Sequence, residues 1–295
     1  MVTKAFIEDT FLGDKTTNDL ESDMTVCIAA ICEKGNEIIF MSDRLLTSSG
    51  SLVEFEHSTS KIRQLTENCS AAYAGDTQAF TELFERARLK TDEIENVTVS
   101  DVGKCVHKAF FELRREKIED RILRPRGFRD FEEYLERQQQ LVREVVLMIE
   151  GQIDEFELGL HVLVAGVGED GAHIYSIKDP CDFKIFDDIG YHAIGIGARH
   201  ALTHLMVKGY DKDTNVSRAM LAIYEAKKIA ESAPGVGPKT TIVNIMKTGP
   251  YVPSDEQIGG LNGLYKQKVK DVLEIEEKWG KKLDEIDEKV SSGKR

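Results

Sequence analysis

The chain has 295 residues, long enough for one large core or two small ones, and a net charge of −13 with acidic and basic residues interspersed. That charge argues against nucleic acid and anionic membranes as partners, and no apolar stretch reaches membrane-spanning length. The cysteines (Cys27, Cys32, Cys69, Cys105, Cys181) are odd in number and scattered, mostly in apolar runs. They read as free buried thiols in a reducing cytoplasm.

Residues 1–23 are acidic and rich in Thr and Asp (Glu8, Asp9, Asp14, Asp19, Glu21, Asp23). They contain neither a signal-peptide core nor the Arg-rich character of an organelle presequence, so they read as a tail or a removable leader. From Met24 the character changes. Val26 to Cys32 and Ile38 to Met41 are apolar, rich in β-branched residues and joined by a Lys34-Gly35 turn, the pattern of a buried hairpin. Strands over Lys61 to Leu65 and Cys69 to Ala74 follow, and Gly75-Asp76 opens a helix running to about Leu89.

Chemistry-bearing residues sit at the strand edges. Thr25 begins the first strand, Asp43-Arg44 ends the second and Lys61 begins the third. A Thr hydroxyl is a poor nucleophile unless a base takes its proton, and the α-amine of an N-terminal Thr, with a pKa of about 8, can be that base. A nearby Lys favours the neutral amine, an Asp holds the Lys, and a backbone N–H at a Gly turn can face a developing oxyanion. Cleavage before Thr25, or trimming of Met24 as an initiator, would free that amine.

Further along, a second helix starts near Asp101 and runs through Ile118 and Ile122 to a stop at Arg124-Pro125-Arg126-Gly127. A third carries Phe131, Leu135, Val142, Val145, Ile149 and Ile153 on one side. A strand over Leu160 to Val167, a Gly168–Gly171 turn and a strand over Ala172 to Ile177 form a second hairpin. Ala193 to Gly197 leads into a helix from Ala198 to about Lys208. Thr214-Asn215 caps another, with Val216, Met220, Ile223 and Ala230 inward, ending at Pro234-Gly235. Thr240 to Met246 is the last apolar strand. Pro250 and Pro253 mark a linker, Gly259-Gly260 a break, and an amphipathic helix runs from about Tyr265 to Val290.

With Thr25, Asp43, Lys61-Ile62 and Ala74-Gly75-Asp76 in this order, the chain resembles a proteasome β-subunit of the N-terminal-nucleophile (Ntn) hydrolases. Among these it is most similar to the bacterial proteasome-like proteins. The resemblance covers roughly 25–113 and 158–246, and the segment of about 115–157 is a helical insertion outside it. It implies an α/β (α+β) fold, a four-layer αββα sandwich, over 25–248, with 1–24 as leader or tail and 249–295 as linker and C-terminal helix. It implies Thr25 as nucleophile, Asp43 and Lys61 beside it, and Gly75 at the oxyanion. Tyr73 and Thr77 would line the substrate pocket. A peptide or small amide would be cleaved through an acyl-Thr ester, with no metal or other cofactor. The protein would assemble with itself into a ring in the cytoplasm, and an ATPase unfoldase follows as partner by analogy alone.

Two positions depart from active proteasome subunits. Ile196 stands where they carry the Ser of Gly-Ser-Gly, and in the segment 231–237 Ser232 is the nearest substitute for an Asp, with no second Ser. A catalytically silent scaffold, or an amidohydrolase for a non-peptide substrate, are therefore the alternatives. Other candidates read as structural. His200 and His204 lie one helical turn apart without a completing ligand, and Gly195-x-Gly197 and Gly235-x-Gly237 permit close backbone approach. Cys27 lies mid-strand with no base beside it, and Asp43–Lys61 alone would be a buried ion pair.

Overall fold

The computed structural model describes residues 24–48, 53–56 and 60–292; the acidic stretch 1–23, expected as leader or tail, lies outside them. The chain divides into two units, Met1–Val252 and Pro253–Arg295. The first is a mixed α+β fold with two five-stranded sheets, antiparallel throughout.

The hairpin of β1 (Cys27–Cys32) and β2 (Glu37–Asp43) pairs Cys27 with Ser42 and Cys32 with Glu37. Its turn needs positive φ at Lys34 (57°) and Gly35 (87°). The Arg44–Ser60 segment contains a separate hairpin of β3 (Leu45–Ser48) and β4 (Val53–Glu56). Then come β5 (Ile62–Thr66) and β6 (Cys69–Gly75). The Asp76 carboxylate accepts from the Gln78 and Ala79 N–H groups and starts α1 (Thr77–Asp92). A reciprocal Thr98–Asp101 capping box starts α2 (Val99–Ile118). The later elements are α3 (Phe131–Arg137), α4 (Arg143–Asp154), β7 (Leu160–Gly168), β8 (Gly171–Lys178), β9 (Asp182–Ile185), β10 (Tyr191–Ile194), α5 (Ala198–Val207), α6 (Val216–Ala230) and β11 (Thr240–Met246). Strand β12 (Gly249–Tyr251) corrects the expectation that the chain leaves the sheet at Met246. Pro250 lies on this edge strand opposite Ile245, where a missing N–H is tolerated.

Sheet I runs β10-β1-β2-β11-β12 and sheet II runs β5-β6-β7-β8-β9. Their facing sides share one apolar core: Cys27, Ala29, Ile31, Ile38 and Phe40 from sheet I meet Ala72, Ala74, Leu163, Ala165 and Ile174 from sheet II. The alternate residues of sheet II, including Val162, Val164 and Ile177, pack on Phe80, Leu83, Val106 and Phe110 of α1 and α2. On sheet I, Ile28, Ala30, Ile39 and Met41 are fully buried, and α6 packs on β1 and β2. Burial on both faces explains why β1 and β2 read as continuous apolar runs rather than alternating ones.

The insertion corrects the single third helix. Leu141 and Val142 are extended, dividing the run into α3 and α4. This bend lets Tyr134 of α3 and Ile149 of α4 enter one small core with Ile118, Ile122, Leu123 and Phe128. The Tyr134 hydroxyl donates to Glu150 Oε1 (2.7 Å) across the bend. Val142 and Leu135, expected on the same apolar side as Ile149, are exposed.

In the second unit, α7 (Asp255–Ser292) begins ten residues before the expected Tyr265 and runs through Gly259-Gly260. Its start is explained by Ser254 and Gln257: the Gln257 N–H donates to Ser254 Oγ (3.3 Å) while Gln257 Oε1 accepts from the Ser254 N–H (2.8 Å). That capping box outweighs the glycines.

Ile149 is 0 % exposed and Leu147, two residues away, is 60 % exposed. Ile149→Ala should cost about 2–4 kcal/mol in chemical denaturation, and Leu147→Ala should stay within about 0.5 kcal/mol. Equal losses at both would mean that α4 presents a different face to the insertion core.

Candidate active site

Three of the residues singled out above are joined by direct hydrogen bonds. Thr25 lies two residues before β1, Asp43 is the last residue of β2, and Lys61 immediately precedes β5. The β1–β2 register sets Cys27 opposite Ser42, so Thr25 and Asp43 emerge side by side at one end of sheet I. The Thr25 hydroxyl donates to Asp43 Oδ1 and accepts from Lys61 Nζ at 2.5 Å. Lys61 Nζ also reaches both Asp43 oxygens, at 3.0 and 3.2 Å. All three side chains are buried.

Backbone groups fix the Asp43 carboxylate. Its Oδ1 accepts from the Val26 N–H (3.1 Å), and its Oδ2 accepts from the Leu45 N–H (3.0 Å) and the Gly237 N–H (3.3 Å). Every lone-pair direction of a buried anion is thereby used, which offsets its desolvation. Chemically, a cation on the Thr25 oxygen and a carboxylate on its proton polarise the hydroxyl toward the alkoxide. In the continuous chain the Thr25 nitrogen is the amide of the Met24–Thr25 bond, and Thr25 is only 2 % exposed.

The glycine pairs are required here for packing. Gly195 has φ +88°, and a Cβ on it would lie 2.4 Å from the Thr25 carbonyl oxygen, which also accepts from the Gly197 N–H (3.2 Å). Gly235 (φ +80°) lies against Met24, where an added Cβ would come within 2.5 Å of the Met24 Cβ. Gly75 ends β6 with φ +110°, and a Cβ there would stand 2.1 Å from the Gly159 carbonyl oxygen. Close backbone approach to β7 therefore demands glycine at 75 whatever its N–H does.

Tyr73 and Thr77 pair with each other. The Tyr73 hydroxyl donates to Thr77 Oγ1 (3.1 Å), and the ring stacks on Phe80 at 4.1 Å within the core shared with α1. The Tyr73 carbonyl accepts the Cys27 thiol at 3.4 Å. Burial pushes that thiol up to about 12, Lys61 pulling only partly the other way, so Cys27 is held as a neutral thiol. Ser232 donates to the Ile229 carbonyl (2.7 Å) at the end of α6, and Ile196 is half-buried beside Gly195 and Gly197.

His204 Nε2 sits 3.3 Å from Glu225 Oε2, in an inter-helix cluster with Lys208, while His200 is exposed. Among the described residues, no group of three or more His, Cys, Asp or Glu side chains is arranged to hold a metal ion. All five cysteines are free thiols, four of them buried and Cys181 half-buried.

Lys227 was not anticipated. It is 0 % exposed on α6, and its ammonium donates to Glu231 Oε1 (2.5 Å) and to the Gly237 (2.7 Å) and Pro238 (3.0 Å) carbonyls. Burial pushes its pKa down and Glu231 pulls it back up. It clamps the loop whose Gly237 N–H holds Asp43. The available signal was a lysine on the inward stripe of α6, one turn after Ile223 and three residues before Ala230.

Removing Asp43 would leave the Lys61 ammonium buried beside a neutral site. Asp43→Ala should cost about 3–5 kcal/mol of unfolding free energy, and Lys61→Met combined with it should cost less than the sum of the single changes. Additive losses in denaturant titrations would show that the two charges are not coupled.

Neither a protein-family model nor a curated protein sequence matches this chain.

Proposed function

We propose that this chain is a threonine-type peptidase or amidohydrolase of the Ntn class, with Thr25 as its nucleophile once the bond to Met24 is cleaved. One observation carries the reading: the buried hydrogen-bonded set of Thr25, Asp43 and Lys61, at the edges of three different strands. Such a set explains why a lysine and an aspartate are both kept out of water beside a threonine. The two sheets packed face to face, with α1 and α2 on sheet II and α6 on sheet I, support a four-layer αββα sandwich.

In the reaction, the freed Thr25 α-amine takes the Oγ1 proton as Oγ1 attacks the substrate carbonyl carbon. The resulting oxyanion is held by backbone N–H donation, which the resemblance assigns to Gly75. Collapse breaks the C–N bond, the α-amine passes its proton to the leaving amine, and an acyl ester on Thr25 remains. Water, deprotonated by the same amine, then hydrolyses the ester and restores the hydroxyl. Lys61 keeps the amine neutral by its positive charge, and Asp43 holds Lys61.

A second reading has its own observation. Ile196 has no hydroxyl and Ser232 is bonded to the end of its own helix, which favours a catalytically silent scaffold of the same fold. Either form would assemble with itself. Leu135, Val142, Leu147 and Met148 expose apolar side chains on the insertion, of the kind that marks a protein contact.

The discriminating experiment combines intact mass with covalent labelling. The catalytic reading expects a mature chain starting at Thr25 that reacts with an electrophilic probe for N-terminal threonine. Thr25→Ala should lose the labelling and all amide hydrolysis while keeping its fold, and Lys61→Ala should be nearly as damaging. Equal labelling of wild type and Thr25→Ala would overturn it, and an unprocessed, unreactive chain would establish the scaffold. For assembly, Leu147→Asp with Met148→Asp should lower the particle mass seen by light scattering without lowering thermal stability. An unchanged mass would remove the insertion from the contact.

A further inference from the structure

The C-terminal helix α7 takes no part in the Thr25 chemistry, and its sequence carries a second message. From Ile258, alternating steps of four and three residues fall on Asn262, Tyr265, Val269, Val272, Glu276, Trp279, Leu283, Ile286 and Val290. Eight of these ten positions are apolar or aromatic, with Leu261, Leu273 and Ile275 flanking them, and the 3.5-residue spacing kept for more than four heptads suits a supercoiled seam. The residues on it are exposed, Trp279 at 61 % and Leu283 at 62 %, and the opposite face carries Lys270, Glu274, Glu277 and Lys281.

We propose that α7 pairs in parallel, and in register, with α7 of a second copy of this chain as a coiled coil. One charged pair favours that direction. In a parallel pair, Lys282 at a flanking position faces Asp287 of the second copy five residues on, and the two charges are opposite. An antiparallel pair with the same overlap would instead set Lys268 against Lys282.

Size selects the register. Each Trp279 would enter a hole bounded on the other helix by Glu276, Trp279, Gly280 and Leu283. Gly280 has nothing within 4 Å of an added Cβ, so its own chain does not require glycine there, yet glycine weakens a lone helix. Room for the facing indole accounts for it. The indole N–H then finds an acceptor in the Glu276 carboxylate of the other copy, as a buried Trp requires. Asn262 and Glu276 on the seam fix the register at a cost in stability.

The inference is independent of Thr25, so it can be tested in the full chain carrying Thr25→Ala as well as in the wild type. Ile286→Cys places a thiol on the seam, where two parallel in-register copies bring it within disulfide reach of its counterpart. Glu285→Cys places one on the outer face. Mild oxidation should shift the first variant to a dimer-sized band on a non-reducing gel, reversed by reductant, and leave the second monomer-sized. A monomer-sized band for Ile286→Cys, or equal dimer from both variants, would overturn the proposal.

Discussion

The Asp43 carboxylate is the interaction on which the first unit depends. It is fully buried and receives hydrogen bonds from the Val26, Leu45 and Gly237 N–H groups, the Thr25 hydroxyl and the Lys61 ammonium. These donors come from the start of β1, the chain beyond β2, the loop before β11 and the start of β5. A buried anion is tolerated only when its oxygens are occupied. Satisfying this one therefore fixes where four segments converge and brings sheet I and the first strand of sheet II to the same point.

Two buried lysines stand behind that carboxylate with different roles. Lys61 bonds it directly and holds the Thr25 oxygen. Lys227 acts through the backbone: by bonding the Gly237 and Pro238 carbonyls it sets the loop that presents the Gly237 N–H. Its own charge is offset by Glu231, one turn later at the C-cap of α6. Loop conformation and carboxylate position are thus one network, and such networks hold only when each member is satisfied.

Much of this was legible in the sequence because strong local signals and the fold agreed. The strands of both sheets that are buried on two faces announced themselves as apolar runs, and Asp76 and Asn215 announced their helices by capping chemistry. Thr25, Asp43 and Lys61 were legible because each is a polar residue at the edge of such a run. Illegible features depended on distant partners. The break at Leu141-Val142 follows from Tyr134 and Ile149 sharing a core, which periodicity along one helix does not contain. Short edge strands β9 and β12 owe their state to pairing with β8 and β11. The Tyr73 ring packs in the core shared with α1, which its residue type did not distinguish from a pocket-lining position.

The same loop that helps build the site also touches the residue before Thr25. Gly235 lies against Met24, and Gly237, two residues on, bonds Asp43. Met24 therefore packs on the loop that also bonds Asp43, and the Thr25 carbonyl accepts from the Gly197 N–H. Loss of Met24 would remove the side chain against Gly235 while leaving every bond to Asp43 in place, because none of those donors belongs to Met24. Exposure of Thr25 and preservation of its partners are separable in this architecture. Strands and Lys227 hold the groups that shape the carboxylate, and Met24 supplies none of them.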